Sequence, residues 1–411
     1  MFIGTLLVHF LMKKYTFGTV SNQFMDYLYH IKNLMTMIKK HFFVGLLMAL
    51  LLSINTAFGQ TSGKKMPVFD VADALDAALS DNFTWNSIAK NVRMIPLKTE
   101  GLIGAHPKVH YFSDDLIIVS DISTHSVFVF DGEGREKVSF SHFGQGPKEY
   151  ITMTSVNYHE KDSLIMLYDN RKKKLFRFDL RGRCVDVKTA DVGGIILQID
   201  SEGDMLSINR AGKSLVSVWD NKLQLRGEYL PFDVRFNDQQ KISSQLLSGK
   251  GFHSGASMLL PVCSDTVYSV MKQGVVSFCM VKRGGYKCSP DDLKNIKKVM
   301  FNEDYLCGEQ VHSFSSYFCY ITQNKSVVEL WDMHTGKLLA WNKGKYEGKG
   351  TDRELIWGFR YVFPSGNEIR PLMLDYVNKD YGVFIVQAEE CVDDIRGLSI
   401  DDNPVILVLE F

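Results

Sequence analysis

The chain of 411 residues has no surplus of charge. Its 47 Lys and Arg stand against 47 Asp and Glu, for a formal net charge of zero. No overall basic field exists to gather phosphate backbones, so nucleic acid is excluded as a general partner. It also lacks paired metal ligands. The seven Cys are odd in number and contain no C-x-x-C, the eleven His are scattered, and H-E-x-x-H is missing, so neither metal nor cofactor is assigned. There is no G-x-S-x-G. "GKGFHSG" (Gly249 to Gly255) places a Ser between His253 and Gly255, but no strand-to-helix elbow follows, and it reads as a flexible inter-strand loop. A phosphate cradle would need a Gly loop opening a helix, with Lys before Ser or Thr. Lys148 precedes Glu149 instead. No residue is therefore singled out as catalytic or ligand-binding.

What is present begins with an address. "MIKKHFFVGLLMALLLSINTAFGQ" (Met37 to Gln60) has a basic start at Lys39 and Lys40, an apolar run from Phe42 to Ile54, and small residues at Ala57 and Gly59. This is the pattern of a secretory signal peptide over residues 37–59, with a membrane anchor as the alternative. No Cys follows the apolar run to take a lipid anchor. A signal of this kind starts at the true initiator, so residues 1–36 read as an extension upstream of the real start. If they are genuine, they form an additional membrane-interacting segment. An exported chain meets an oxidising compartment, which would permit one disulfide within the cluster from Cys279 to Cys319. Otherwise the seven Cys read as small buried residues in strands.

Residues 60–90 hold a short amphipathic helix, read over "PVFDVADALDAAL" (Pro67 to Leu79) from Val71, Leu75 and Leu79. Beyond it helical spacing almost vanishes. Short alternating runs end at a shared Asp: "VFVFDGEG" at Asp131, "LFRFDLRG" at Asp179, "VSVWDNKL" at Asp220 and "VELWDMHTG" at Asp332, with "DTVYSVMKQG" as a looser copy. Each follows one apolar strand, such as "DLIIVSD", and precedes another, such as "EKVSF". The period of about 40 to 60 residues matches a four-stranded propeller blade. Turns after the shared Asp call for φ > 0, a need that Gly132 and Gly134 would meet. The count is six blades over 91–411, with seven as the alternative. "NVRMIPLK" (Asn91 to Lys98) and "NPVILVLEF" (Asn403 to Phe411) are isolated terminal strands whose pairing would close the ring and protect its sheet edges.

The combination "IPLKTEGLIGAHPKV", "IIVSDISTHSVFVFDGEGREKVSFSHFGQGPKEY", "SDTVYSV" and "DDNPVILVLEF" resembles the six-bladed β-propeller family of secreted Gram-negative proteins, with the shape of NHL-like and TolB-like propellers. The likeness covers roughly Phe83 to Phe411. "GQGPKEY" is its most specific piece, and Lys148 departs from the small residue usual there. The resemblance implies a periplasmic, cell-surface or secreted propeller with no general activity to transfer. Trp219–Asp220 and Trp331–Asp332 also resemble WD repeats, without that family's upstream Gly-His.

Two kinds of charged feature remain. "RKKKLFRFDLRGR" (Arg171 to Arg183) reads as a solvated turn and strand edge, or as a patch for an acidic glycan or anionic membrane. Asp114, Asp115, Asp121, Asp169, Asp401 and Asp402 read as turn formers bonding their own backbone, or as axial calcium or catalytic ligands. The functional expectation is a monomeric binding or scaffold module for an unknown peptide, glycan or envelope protein, with no membrane span in the mature chain. The alternative is a periplasmic propeller enzyme of the lactonase, lyase or glycosidase type, with axial metal or carboxylates. A structural role in an envelope complex for nutrient uptake is a third reading.

Overall fold

A computed structural model describes residues 66–75, 83–199, 204–253, 256–271, 274–302, 304–347, 354–371 and 374–411. They fall within one compact unit, Met66–Phe411. The signal peptide read at 37–59 and the extension read at 1–36 lie outside the described residues.

The strands run as follows: β1 Val68–Phe69, β2 Asn91–Pro96, β3 Pro107–Phe112, β4 Ile117–Asp121, β5 Ser126–Phe130, β6 Glu136–Phe140, β7 Ser155–His159, β8 Leu164–Asp169, β9 Lys174–Asp179 and β10 Cys184–Thr189. Then come β11 Gly194–Ile199, β12 Met205–Asn209, β13 Ser214–Trp219, β14 Leu225–Pro231, β15 Gly249–His253, β16 Ala256–Leu260, β17 Thr266–Met271, β18 Gly274–Val281, β19 Glu309–Phe314 and β20 Tyr317–Thr322. The chain finishes with β21 Val327–Asp332, β22 Leu338–Lys343, β23 Lys345–Glu347, β24 Glu354–Ile356, β25 Tyr361–Val362, β26 Glu368–Ile369, β27 Tyr376–Val377, β28 Tyr381–Val386 and β29 Val405–Glu410.

Strands β3–β6, β7–β10 and β11–β14 form antiparallel four-stranded meanders. Two more meanders, β15–β18 and β19–β22, join through parallel pairing of β15 with β19 into a nine-stranded sheet, with β1 on the outer edge of β18. The last meander is β27–β28–β29, and its fourth strand is β2 from the other end of the chain. Asn91 pairs with Glu410 and Pro96 with Val405, so the two terminal strands pair antiparallel, as the sequence pattern suggested they would pair.

The middle strands are near-continuous apolar runs because both of their faces are covered. Ile117, Val119, Phe128 and Phe130 share a core with Val383, Ile406 and Val408 of the last meander. The alternate residues Ile118, Val127 and Val129 share another with Ile165, Leu167 and Phe176 of the next. Met166 and Tyr168 then meet Met205, and Leu206 and Ile208 meet Leu259. Met258 and Val267 meet Val311 and Phe318, and Ile321 and Val328 meet Phe384 and Leu407. This circuit of cores returns to its start and makes a propeller-like β fold. Outer strands such as β6 alternate half-buried with exposed, as one-sided cover requires.

The shared Asp works as expected. Asp131 Oδ1 accepts from the Glu133 and Arg135 amides, Asp179 Oδ1 from Arg181 and Arg183, and Asp220 Oδ1 from Lys222 and Gln224. The left-handed residue falls three positions after the Asp, at Gly134 (φ 78°), Gly182 (φ 73°) and, without glycine, Leu223 (φ 67°). Gly132 is not left-handed, contrary to expectation. A Cβ there would lie 1.6 Å from the Asp114 carbonyl oxygen, so close approach of two turns explains the glycine.

Other expectations are corrected. "GKGFH" is strand β15, not a loop. A Cβ on Gly251 would meet the Val311 carbonyl oxygen at 1.4 Å, so the glycine permits β15 to lie against β19. At the N-terminus Val68–Phe69 is a strand, and the described helix is a single turn, Val71–Ala74, capped by Asp70. Phe69 is fully buried and stacks on Phe318 at 4.4 Å, so tertiary packing overrides the helical spacing there. A ten-residue helix, Asp238–Leu247, went unread. Its signal was the capping box of Asn237 and Gln240.

Candidate functional site

Inner strands of the meanders neighbour one another around the circuit: β3 beside β7, β7 beside β11, β11 beside β16, β15 beside β19, β19 beside β27, and β27 beside β3. This circuit brings together polar residues from distant parts of the chain. Strand β3 carries Lys108 and His110, and β19 carries Gln310 and His312. Asp375 immediately precedes β27. His110 sits at a β-bulge, where the register with β4 skips from Val109 to Tyr111, and a bulge of this kind re-aims a side chain.

Each group is held. His110 Nε2 lies 2.7 Å from Ser120 Oγ. Asp375 Oδ2 accepts from the Ile385 amide at 2.7 Å. His312 is 5% exposed, with Nε2 3.5 Å from Gln310 Oε1. Exposed Lys108 acts on all three. Burial, aided by Lys108, lowers His110 to about 3 and His312 to about 4, so both imidazoles are neutral at pH 7. Burial raises the Asp375 carboxyl to about 6, against the Ile385 amide and Lys108. Burial also lowers Lys250 on β15. Beside this set, Tyr111 donates to Glu160 Oε1 at 3.0 Å and its ring lies 4.7 Å from Tyr158 and 6.2 Å from Tyr376. The arrangement offers one cation, two neutral imidazoles, a carboxyl near its titration point and three half-buried phenols. It suits hydrogen bonding and ring stacking with a polar ligand. Among the described residues, no group of three or more His, Cys, Asp or Glu is placed to hold a metal ion.

None of these residues stood out in the sequence, because Lys108, His312 and Asp375 are joined only by closure of the ring. The bulge at His110 breaks alternation, but one irregular position is no motif.

The segments that did stand out are structural. In "GQGPKEY" the Lys172 ammonium donates to the carbonyls of Gly144, Gly146 and Glu149 at 2.9, 3.2 and 2.7 Å, and Gly146 N donates to Glu149 Oε2. Three of the seven basic residues in the basic stretch are ion-paired: Lys173 with Asp191, Arg177 with Asp186 and Arg183 with Asp179. Asp121 and Asp169 accept from nearby amides, as turn formers do. Asp114 instead pairs with Arg93, which also reaches Glu410. All seven Cys are free thiols, and Cys279 and Cys319 lie in different cores. A separate open cleft of about 860 Å³ borders the terminal latch. Lys98, Arg135 and Arg396 there face Glu100, Glu136 and Asp402, leaving no charge bias.

No helix among the described residues is long and apolar enough to cross a membrane. Residues 66–410 match the family described as "Domain of unknown function (DUF4934)". The fold is similar to that of a "Putative exported protein" from Bacteroides fragilis, with a TM-score of 0.59 at 15% identity, covering 84% of this chain and 99% of that one. Looser matches are a DUF4221 family member from Bacteroides vulgatus (TM-score 0.43, 8% identity, 79% and 97% covered) and virginiamycin B lyase from Staphylococcus aureus (TM-score 0.40, 10% identity, 78% and 99% covered). No curated protein matches the sequence.

Proposed function

The chain belongs to the DUF4934 family, and from that premise we propose that it is an exported, six-bladed propeller that binds a polar partner, a peptide, glycan or envelope protein, at its axial end. Support for six blades comes from the meanders β3–β6, β7–β10, β11–β14, β15–β18, β19–β22 and β27–β29 with β2, each sharing a core with the next. Support for export comes from the charge and apolar pattern of residues 37–59 and from fold similarity to a protein described as exported. Mass spectrometry of the chain from an envelope fraction tests this. A mature end at Gln60 agrees, and retention of residues 37–59 in that fraction refutes the signal.

The binding reading rests on Lys108 lying within electrostatic range of His110, His312 and Asp375, which come from three separate strand regions of the inner circuit. A rigid β wheel preorganises such a set, which lowers the ordering cost of binding. Glycan and peptide arrays with the wild-type chain and Lys108→Ala test it. Specific binding lost in Lys108→Ala, with unchanged melting, supports the site. Equal binding by both moves the site elsewhere.

One observation favours an enzymatic second reading. A carboxyl raised to about 6, influenced by the same Lys108 that acts on two neutral imidazoles, is suited to proton transfer near neutral pH. Turnover of a lactone or glycoside library, abolished in Asp375→Asn, would replace the binding reading with this one.

A further inference from the structure

Of the seven thiols, Cys279, Cys307, Cys319 and Cys391 are buried and Cys184 is half-buried. Burial holds Cys184 and Cys279 above the ordinary thiol range, Cys319 at about 12, and Cys307 and Cys391 at about 11. The other two differ in placement. Cys263, half-exposed in the turn after β16, packs against the core cluster that contains Cys288, which is 2% exposed. Lys287, the neighbour of Cys288, pairs with Asp265, two residues after Cys263, at 2.9 Å, so the two cysteine segments lie side by side. Fully buried Arg283 braces this turn, donating to the carbonyls of Pro261, Val262 and Ser264 at 3.4, 2.8 and 2.9 Å.

From this geometry we propose that Cys263 and Cys288 are a redox-active dithiol that closes to a disulfide on contact with an oxidised disulfide carrier, stapling the turn after β16 to the chain beyond β18. The division of labour follows from the surroundings. Cys263 is half-buried while Cys288 is buried, and the nearby Cys288 with the Arg283 and Lys287 charges holds the Cys263 thiol below its usual range. Cys263 is the attacking thiolate because its partial exposure lets a carrier reach it, whereas Cys288 is buried. Its sulfur bonds to one sulfur of the carrier disulfide and the other carrier sulfur leaves as a thiol. Cys288 then loses its proton and displaces the first carrier sulfur. Two electrons and two protons pass to the carrier, which is released as dithiol. Cys307 belongs to the same cluster, but its thiol is turned to the Val299 and Met300 carbonyls. The chemistry does not depend on the export reading, but its occurrence in the cell does, because an oxidising compartment is needed to maintain the bond.

The test uses the full mature chain equilibrated with oxidised glutathione, alkylated, digested without reductant and read by mass spectrometry. The expected product is one linked pair of peptides carrying Cys263 and Cys288, lighter by two hydrogens than the reduced pair. Cys263→Ser should abolish it, while Cys279→Ser should leave it intact. Reduction should lower the melting temperature of the wild type but not of the Cys263→Ser/Cys288→Ser double variant. Free alkylation of both cysteines in oxidised glutathione, or a link to a different cysteine, overturns the inference. A link formed in vitro but missing from protein isolated under acid trapping from cells supports the dithiol and counts against export instead.

Discussion

Arg283→Met should be among the most damaging single substitutions available. The side chains of Arg283 and Glu309 are both 0% exposed, with Nε 2.7 Å from Glu309 Oε1, and Tyr320 donates to the same oxygen at 2.6 Å. Removing the guanidinium strands a buried carboxylate, which costs about 3–5 kcal/mol. It also orphans three carbonyls in the turn after β16, where each lost partner adds up to about 1–3 kcal/mol unless water replaces it. A loss of about 4 kcal/mol or more is therefore expected. At about 2 °C per kcal/mol, the low end of the range appropriate to a large unit, the melting temperature falls by about 8 °C. Glu309→Gln keeps an acceptor for Arg283 and Tyr320 and spares the carbonyls, so it should cost less than Arg283→Met. The double variant should cost less than the sum of the singles by more than about 1.5 kcal/mol, since neither buried charge is left alone. Differential scanning calorimetry on the four proteins reads the cycle. A shift under about 2 °C for Arg283→Met, taking the same conversion, or strict additivity, would refute Arg283 as the buried partner of Glu309 and brace of the turn after β16.

The remaining predictions concern pH, loops and turns. His312 has a folded pKa of about 4 against 6.5 when free, so the unfolded chain binds more protons between those values and stability is lost as pH falls through that window. Moving from pH 7 to pH 5 should cost about 2 kcal/mol through this residue. His312→Gln should shrink the pH 7-to-5 loss in urea unfolding by that amount, and an unchanged loss would count against the buried neutral imidazole. Lys172→Met removes the ammonium that gathers three carbonyls of the 144–149 loop. Hydrogen exchange should quicken at the Gly144 and Tyr150 amides with global melting nearly unchanged, and unaltered protection there would contradict the tether. Gly132→Ala must displace backbone at Asp114 and should cost about 2 kcal/mol or more, whereas Gly285→Ala, with open space around its Cβ, should fall within about 1 kcal/mol of wild type. Equal effects in chemical denaturation would rule out the close approach of the two turns.

Local chemistry is what the amino-acid order determined by itself. Alternation of apolar residues specifies a strand because successive side chains leave opposite faces, and an Asp closing such a run specifies a turn because its carboxylate bonds amides within a few residues. The strands flanking Asp131, Asp179, Asp220 and Asp332, and the mate of Asn91–Lys98 at the far end, were therefore legible. Decisions that rest on distant partners were not. Gly251 read as loop because its cause, the Val311 carbonyl, lies on another meander. Val68–Phe69 read as helix because the edge of β18 and the ring of Phe318 were out of view. The axial set stayed hidden for the same reason. Lys108, His312 and Asp375 carry no motif, and they share one electrostatic environment only because the closed ring of inner strands brings residues far apart in sequence into mutual range.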